Sequence, residues 1–299
     1  MSSLLRRLLA DAPVTSSRSV AADALPGAKL PADSMPPSRI LLVVATLGGI
    51  ALMVRSVWGE PIPLEYAIAA FIAYTALATA GVLFPQLEMF GDVLWRGEAD
   101  QGVVLTFDDG PHPEHTPRIL DILEENNVRA TFFLVGRKVR LHPEVVKQIV
   151  ERGHGIGLHG YQHDRLFSWK TPKYVEEDIA RTQKAIEEAC GQRPTLFRPP
   201  IGHVSTRTAA GAKKAGVTLV AWSAKGRDGL KNADPDKVLE RLQAGLKPGA
   251  ILLLHDAAER DDFTPVAIEV LPKLLQAIKA QELPIVPLES FLEEVKAPA

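Results

Sequence analysis

Two adjacent carboxylates, Asp108 and Asp109, end the apolar run that starts at Val103, and Gly110, Pro111 and His112 follow them at once. Neighbouring residues of a strand point to opposite faces, but a Gly-Pro turn starting directly afterwards can bring both acids to one mouth. One carboxylate then binds a metal while the other acts as a base; the bland alternative is an Asp pair capping the next helix. Farther along, His159 and His163 stand four residues apart. In a helical turn that spacing sets both imidazoles on one face. With Asp109 they supply three N/O ligands and leave a position open for water, as catalytic zinc sites do.

Two more strand-end clusters complete the set. Phe197-Arg198-Pro199-Pro200-Ile201-Gly202 is a stiff double-proline turn, which can hold the Ile201 amide rigidly as an oxyanion donor. Arg198 is either an ordinary surface cation or a partner for Asp108. After Trp222-Ser223-Ala224-Lys225-Gly226-Arg227-Asp228-Gly229 comes the apolar strand ending in His255 and Asp256. A histidine there suits general acid work, and a neighbouring carboxylate raises its pKa. His112, His115, His142 and His154 lie beside prolines or glycine and read as structural or solvent-facing.

The elements that must position these residues alternate. Strand-like runs begin at Val103, Ala130, Gly155, Thr195, Val217 and Ala250, and helix-like stretches cover Pro117–Glu125, Pro143–Glu151, Val175–Glu188, Thr206–Ala215, Pro235–Ala244 and Val266–Ala280. Such alternation predicts a parallel α/β architecture. Six or seven units in about 200 residues fit a distorted (β/α) barrel of about seven strands, shorter than the eightfold one, with working residues at the C-terminal strand ends.

The first part of the chain differs. Ile40–Val54 carries no charge, ends at Arg55 and is followed by Val57 and Trp58; Tyr66–Leu87 is a second uncharged run. A bilayer core takes about 20 helical residues. The first run spans if Arg55 snorkels and Trp58 sits at the interface. The reading is a transmembrane helical hairpin at 39–88, after a disordered tail at 1–38 and before a linker at 89–102 and a catalytic domain at 103–296. Arg6, Arg7, Arg18, Lys29 and Arg39 precede the first span, whereas the connecting loop has only Arg55. The charge rule therefore puts the N-terminus in the cytoplasm and, with two spans, returns the barrel to that side. If only one run spans, the barrel lies outside.

Composition excludes other classes. The 299 residues contain 34 Lys and Arg against 36 Asp and Glu, a net charge of −2 that argues against a nucleic-acid partner. The single cysteine, Cys190, excludes an internal disulfide framework and a cysteine zinc cage; it reads as a small buried helical hydrophobe.

The ordered motifs TFDDG, HxxxH, RPPxG, WxxxxxD and LLLH resemble the polysaccharide deacetylases of carbohydrate esterase family four, which include nodulation-type chitooligosaccharide deacetylases. The resemblance covers roughly residues 101–296. It implies a metal-dependent hydrolase that removes N-acetyl groups from amino-sugar units of a peptidoglycan or chitin-like glycan, with a divalent cofactor, Zn2+ in the first place. By resemblance Asp108 is the catalytic base, and Asp109, His159 and His163 are the metal ligands. Arg198 holds Asp108, the Ile201 N–H lines the oxyanion site, and Asp228 tunes the acid His255. The family usually has Ser or Thr where Gly160 stands, and a frequent aromatic where Ile201 stands. Lys225 and Gly229 occupy places where the family commonly shows Asp and Trp, and loss of that Trp opens the groove wall. Other readings on this fold are an O-acetyl sugar esterase, a deacylase of a lipid-linked amino sugar, and a silent carbohydrate-binding membrane protein. The implied partners are an acetylated amino-sugar polymer or glycolipid and a membrane, the bacterial inner membrane. Family habit favours a periplasmic or extracellular barrel, against the charge count.

Overall fold

A computed structural model describes residues 35–292; most of the expected disordered tail and the last residues of the chain lie outside this range. Seven strands, β1 (Val104–Asp108), β2 (Thr131–Leu134), β3 (Gly155–Leu158), β4 (Leu196–Phe197), β5 (Thr218–Leu219), β6 (Ala224–Lys225) and β7 (Ile251–His255), form one sheet in the order β5-β4-β3-β2-β1-β7-β6. Every pairing is parallel. The interior strand β1, VLTFD, is buried along its whole length, as a parallel strand covered on both faces must be. The expected distorted barrel of about seven strands is therefore present as a curled, open sheet. The short β6 has no counterpart among the strand-like runs because no apolar run marks it, unlike the equally short β4 and β5.

The segment expected as a linker runs from the end of β5 to the start of β7 and pairs with both. Leu94 N–H donates to Leu219 O at 2.8 Å and Leu94 O accepts from Ala221 N–H at 2.8 Å, while Gly97 N–H donates to Gly249 O at 2.8 Å. Val93 and Leu94 are buried in the main core.

Helices cover the sheet: α3 (His115–Glu125), α4 (Gly136–Leu141), α5 (Pro143–Glu151), α6 (Pro172–Cys190), α7 (Thr206–Lys214), α8 (Pro235–Ala244) and α9 (Ala267–Ala280). Their starts follow from local chemistry. Proline opens α5, α6 and α8, where its missing N–H costs nothing. Thr171, Ser205 and Asp234 accept hydrogen bonds from the first turns of α6, α7 and α8. Cys190, expected to be buried, is half-exposed in the last turn of α6 and donates its S–H to Ile186 O at 3.3 Å.

Two further helices precede the sheet, α1 (Pro37–Trp58) and α2 (Leu64–Leu83), with mean hydropathy 2.2 and 1.8. Both are long and apolar enough to cross a membrane. Helix α1 has no buried residue and α2 has only Gly81. They form a hairpin in which the Thr46 and Tyr74 hydroxyls meet at 3.0 Å. The second helix stops short of the expected Leu87, because Pro85 ends it and starts a short 3-10 turn over Pro85–Leu87.

Candidate metal centre and its surroundings

All the motif residues lie at or just beyond the C-terminal ends of strands. Asp108 is the last residue of β1, opposite His255 of β7 in register. Asp109 follows with φ +76°. That left-handed step, rather than the Gly-Pro turn after it, swings the second carboxylate to the same mouth as the first. His159 follows β3 directly. His159 and His163 were expected on a helical turn, but the segment between them is irregular loop. Gly160 at φ +73° and His163 at φ +54° fold it back, so the imidazoles meet through backbone reversals and not through helical periodicity.

Asp109, His159 and His163 each offer a ligand atom, and these atoms lie within 4.8 Å of one another. His163 Nε2 is 3.1 Å and His159 Nε2 3.4 Å from Asp109 Oδ1, yet this buried oxygen has no hydrogen-bond partner among the described residues. Converging lone pairs around an orphaned carboxylate oxygen fit a divalent cation and fit little else. The tautomer of His159 agrees. Its Nδ1 stands 2.8 Å from Arg198 O; a carbonyl only accepts, so Nδ1 carries the proton and the Nε2 lone pair is left for the site.

Charge reinforces the arrangement. Burial raises the Asp109 carboxyl, but His159, His163 and His255 outweigh it and hold its pKa well below the usual carboxylate range. Burial lowers His163, favouring the neutral imidazole that a metal requires. Burial also opposes charge on His159, but Asp108 and Asp109 overcome it and raise the pKa. What two carboxylates do for an imidazolium they do for a bound cation.

Asp108 is gripped by Arg198, whose Nη1 donates to Asp108 Oδ1 at 2.6 Å and to Thr106 Oγ1 at 2.9 Å; its Nη2 donates to Ala221 O at 2.9 Å. Of the two readings of Arg198, the surface cation is excluded. The side chain is fully buried and lies 4.1 Å over the Phe133 ring. Removing one member of such a pair costs about 3–5 kcal/mol, so Arg198 supports the fold as well as the acid. Ile201 has φ +55°, a strained conformation for a β-branched residue that folds hold mainly where function demands it.

On the other side of the mouth, Asp228 is buried and accepts from the His255 backbone N–H at 2.7 Å. Its Oδ1 lies 3.1 Å from His255 Nδ1. Burial disfavours the imidazolium, but Asp228 outweighs it and pushes the His255 pKa up to about 10.

Several supporting residues were not legible in the motifs. Asp178 of α6 accepts from Tyr161 N–H at 2.9 Å, bracing the loop that carries Gly160. A Cβ at Gly160 would meet the Pro200 ring at 3.0 Å, so the double-proline turn sits on this glycine. Glu259 lies 3.5 Å from His163 Nδ1 and is held by Arg165 Nε at 3.0 Å. Asp256 N–H donates to Asp108 O at 3.2 Å, and its carboxylate accepts from Thr116 Oγ1 at 2.5 Å. Only Asp256, adjacent to a motif histidine, had a signal in the sequence. His154, expected to be structural, is buried and accepts at Nδ1 from Ala130 N–H at 3.2 Å.

The chain is similar to known proteins in sequence and in fold. The polysaccharide deacetylase family model matches residues 96–220. A peptidoglycan-N-acetylglucosamine deacetylase of Bacillus cereus is 35% identical over 197 residues, covering 64% of this chain and 91% of the relative. A chitooligosaccharide deacetylase of Bradyrhizobium is 37% identical over 175 residues, 58% of this chain and 77% of the relative. Peptidoglycan deacetylases of Listeria monocytogenes are 37% identical over 161 residues, 54% of this chain, and the chain spans only 34% of their length. Among solved structures, a family 4 carbohydrate esterase from Streptomyces lividans in complex with acetate superposes with a TM-score of 0.57 at 29% identity, covering 68% of this chain and 99% of that one. A CE4-family pseudoenzyme from Bacillus anthracis gives 0.62 at 28% identity, covering 70% and 72%. The chain belongs to the polysaccharide deacetylase family, carbohydrate esterase family four.

Proposed function

We propose that this protein is a membrane-anchored, metal-dependent hydrolase that removes the N-acetyl group from an amino sugar, with zinc in the site of Asp109, His159 and His163. One observation carries the reading: an orphaned Asp109 oxygen facing two imidazoles, between an arginine-clamped acid and an aspartate-backed histidine. When bound, the cation lowers the pKa of water and polarises a carbonyl.

The chain's own residues do the rest. Arg198 aims Asp108 into the mouth, and Asp108 takes the proton of the attacking water. As the acetyl carbon becomes tetrahedral, the Ile201 N–H donates to the oxygen that gains charge. His255, kept protonated by Asp228, gives its proton to the departing nitrogen, so that the C–N bond breaks and acetate and a free amine result. The intact ligand set and acid–base pair argue against a silent carbohydrate-binding protein. The hairpin α1–α2 serves as the anchor. Its polar entry, where Arg39 Nη2 donates to Glu88 O at 3.0 Å and pairs with Asp92 at 2.8 Å, keeps the start of α1 beside the barrel. With both helices crossing, the two ends of the hairpin lie on one side, and the charge rule makes that side the cytoplasmic one.

The test is acetate release from an N-acetylated amino-sugar oligomer by the full-length protein, with and without chelator. Asp108→Asn is expected to keep stoichiometric metal and lose turnover. Ordinary turnover in that variant, or wild-type activity indifferent to chelation, would refute the assignment.

A further inference from the structure

The open end of the hairpin meets the sheet at its catalytic face. Val204 N–H donates to Val82 O, in the last turn of α2, at 3.2 Å. Gln86 Nε2 donates to Trp222 O at 2.9 Å. Val204 belongs to the same β4–α7 loop as Arg198 and Ile201, and the Trp222 indole packs against Gly202 of that loop. The last turn of the apolar hairpin is therefore bonded to a residue three positions past Ile201.

A second loop is tied to this junction. Ser205 Oγ donates to Ser168 O at 2.7 Å, and Arg207 Nη1 donates to Trp169 O at 3.0 Å. Ser168 and Trp169 lie on the β3–α6 loop, which begins with the ligands His159 and His163. This loop turns large apolar side chains to solvent: Leu166 is 61% and Trp169 74% exposed, and Ile201 next door is 44% exposed. At the hairpin's end Leu83, Phe84 and Leu87 are exposed as well. Arg207, which holds Trp169 O, is exposed, as is Lys173, four positions past Trp169 and 3.7 Å from Glu177. An exposed tryptophan and leucine flanked by cations, continuous with the end of an apolar helix, have the composition of a membrane-interface belt.

We propose that the mouth of the metal site rests on the surface of the bilayer that α1 and α2 cross, with Leu166 and Trp169 seated in its interface. The substrate is accordingly an N-acetylated amino sugar carried on a lipid in that leaflet. This rests on the deacetylase reading and narrows its substrate. A lipid-tethered sugar stays within reach of a mouth held at the headgroups, and the tether replaces a search through bulk solution by a local one.

The experiment uses the full-length protein in vesicles of zwitterionic and anionic phospholipid, as wild type and as Leu166→Ser/Trp169→Ala. Two substrates are compared, a lipid-linked N-acetylated amino sugar in the vesicles and a soluble chitooligosaccharide. The double variant is expected to lose about tenfold in kcat/KM on the lipid-linked sugar while the soluble substrate is turned over unchanged. In parallel, brominated lipid is expected to quench the part of the emission that Trp169→Phe removes. Unquenched Trp169 emission overturns the membrane contact. A loss confined to the soluble substrate makes Trp169 a sugar platform and overturns the lipid-linked assignment, as does equal loss on both. If wild type turns over the soluble sugar alone, the lipid-linked substrate falls and the deacetylase reading stands. If neither sugar is deacetylated, the deacetylase reading fails too, while the quenching still decides the contact.

Discussion

The two halves of the mouth are built from the same pair of residue types and put them to opposite uses. On one side, His163 lies near Asp109 and Glu259, and burial keeps its pKa low. On the other, His255 lies against Asp228 and its pKa is driven up to about 10. The difference is geometric. Asp228 accepts from the His255 main chain with one oxygen and faces its ring with the other, so it is dedicated to that histidine. Asp109 Oδ1 is shared between two imidazoles, 3.4 Å from His159 and 3.1 Å from His163, and is committed to neither. A carboxylate spread over two rings suits a cation between them, whereas one committed to a single ring suits a proton.

The largest effects should come from breaking the shared side. Asp109→Ala removes the charged ligand and is expected to abolish both bound metal, read by elemental analysis, and acetate release. Asp108→Asn is expected to cost about 10²- to 10⁴-fold in kcat while metal content holds. Loss of metal in both variants would dissolve the distinction between ligand and base.

The dedicated side is tested by pH. His255 has a folded pKa of about 10 against an ordinary 6.5. The stability this contributes is complete below about 6.5 and disappears as pH rises through about 10. The acid form accordingly survives well above neutrality. Asp228→Asn removes the stabilising charge, so the alkaline limb of the kcat profile should move to lower pH, with about a tenfold to hundredfold loss above neutrality. An unmoved limb would mean that a group other than His255 sets it. A smaller effect is expected at Glu259, which stands at His163 Nδ1. Glu259→Gln should weaken metal binding by about 10- to 100-fold, read by competition with a chelating dye, while kcat at saturating metal changes little.

The legibility of these halves in the sequence differed for physical reasons. The residues meeting at the centre are each tied to a strand end, and strand ends could be read from apolar runs such as Ile251–Leu254. Helices α5 and α8 were readable to the residue because proline opens them. The loop conformation was not readable. The histidine pair looks helical by spacing, but positive φ at Gly160 and His163 is a property of a loop pinned by Asp178 and Pro200, partners distant in sequence. Glu259 was equally hidden, since its contact with His163 spans 96 positions and no local period marks it. Helix α4 was missed because its six residues follow Val135 without a capping side chain.

The smallest expected effect probes how much freedom the dedicated histidine has. Gly229 occupies a place where the family resemblance implies a Trp, and a Cβ built there would stand 3.0 Å from three atoms of the His255 ring. The backbone at Gly229 has no positive φ, so alanine is conformationally tolerated and the only conflict is with the imidazole. That ring cannot slide away freely, because Asp228 faces its Nδ1 and also accepts from the His255 main chain. It must tilt by a few tenths of an ångström, and proton donation is sensitive to such displacements. Gly229→Ala should therefore lower kcat by about two- to fivefold with KM and metal content unchanged. A rise in KM instead would mean that the methyl group obstructs the sugar and that the space above Gly229 belongs to the substrate groove.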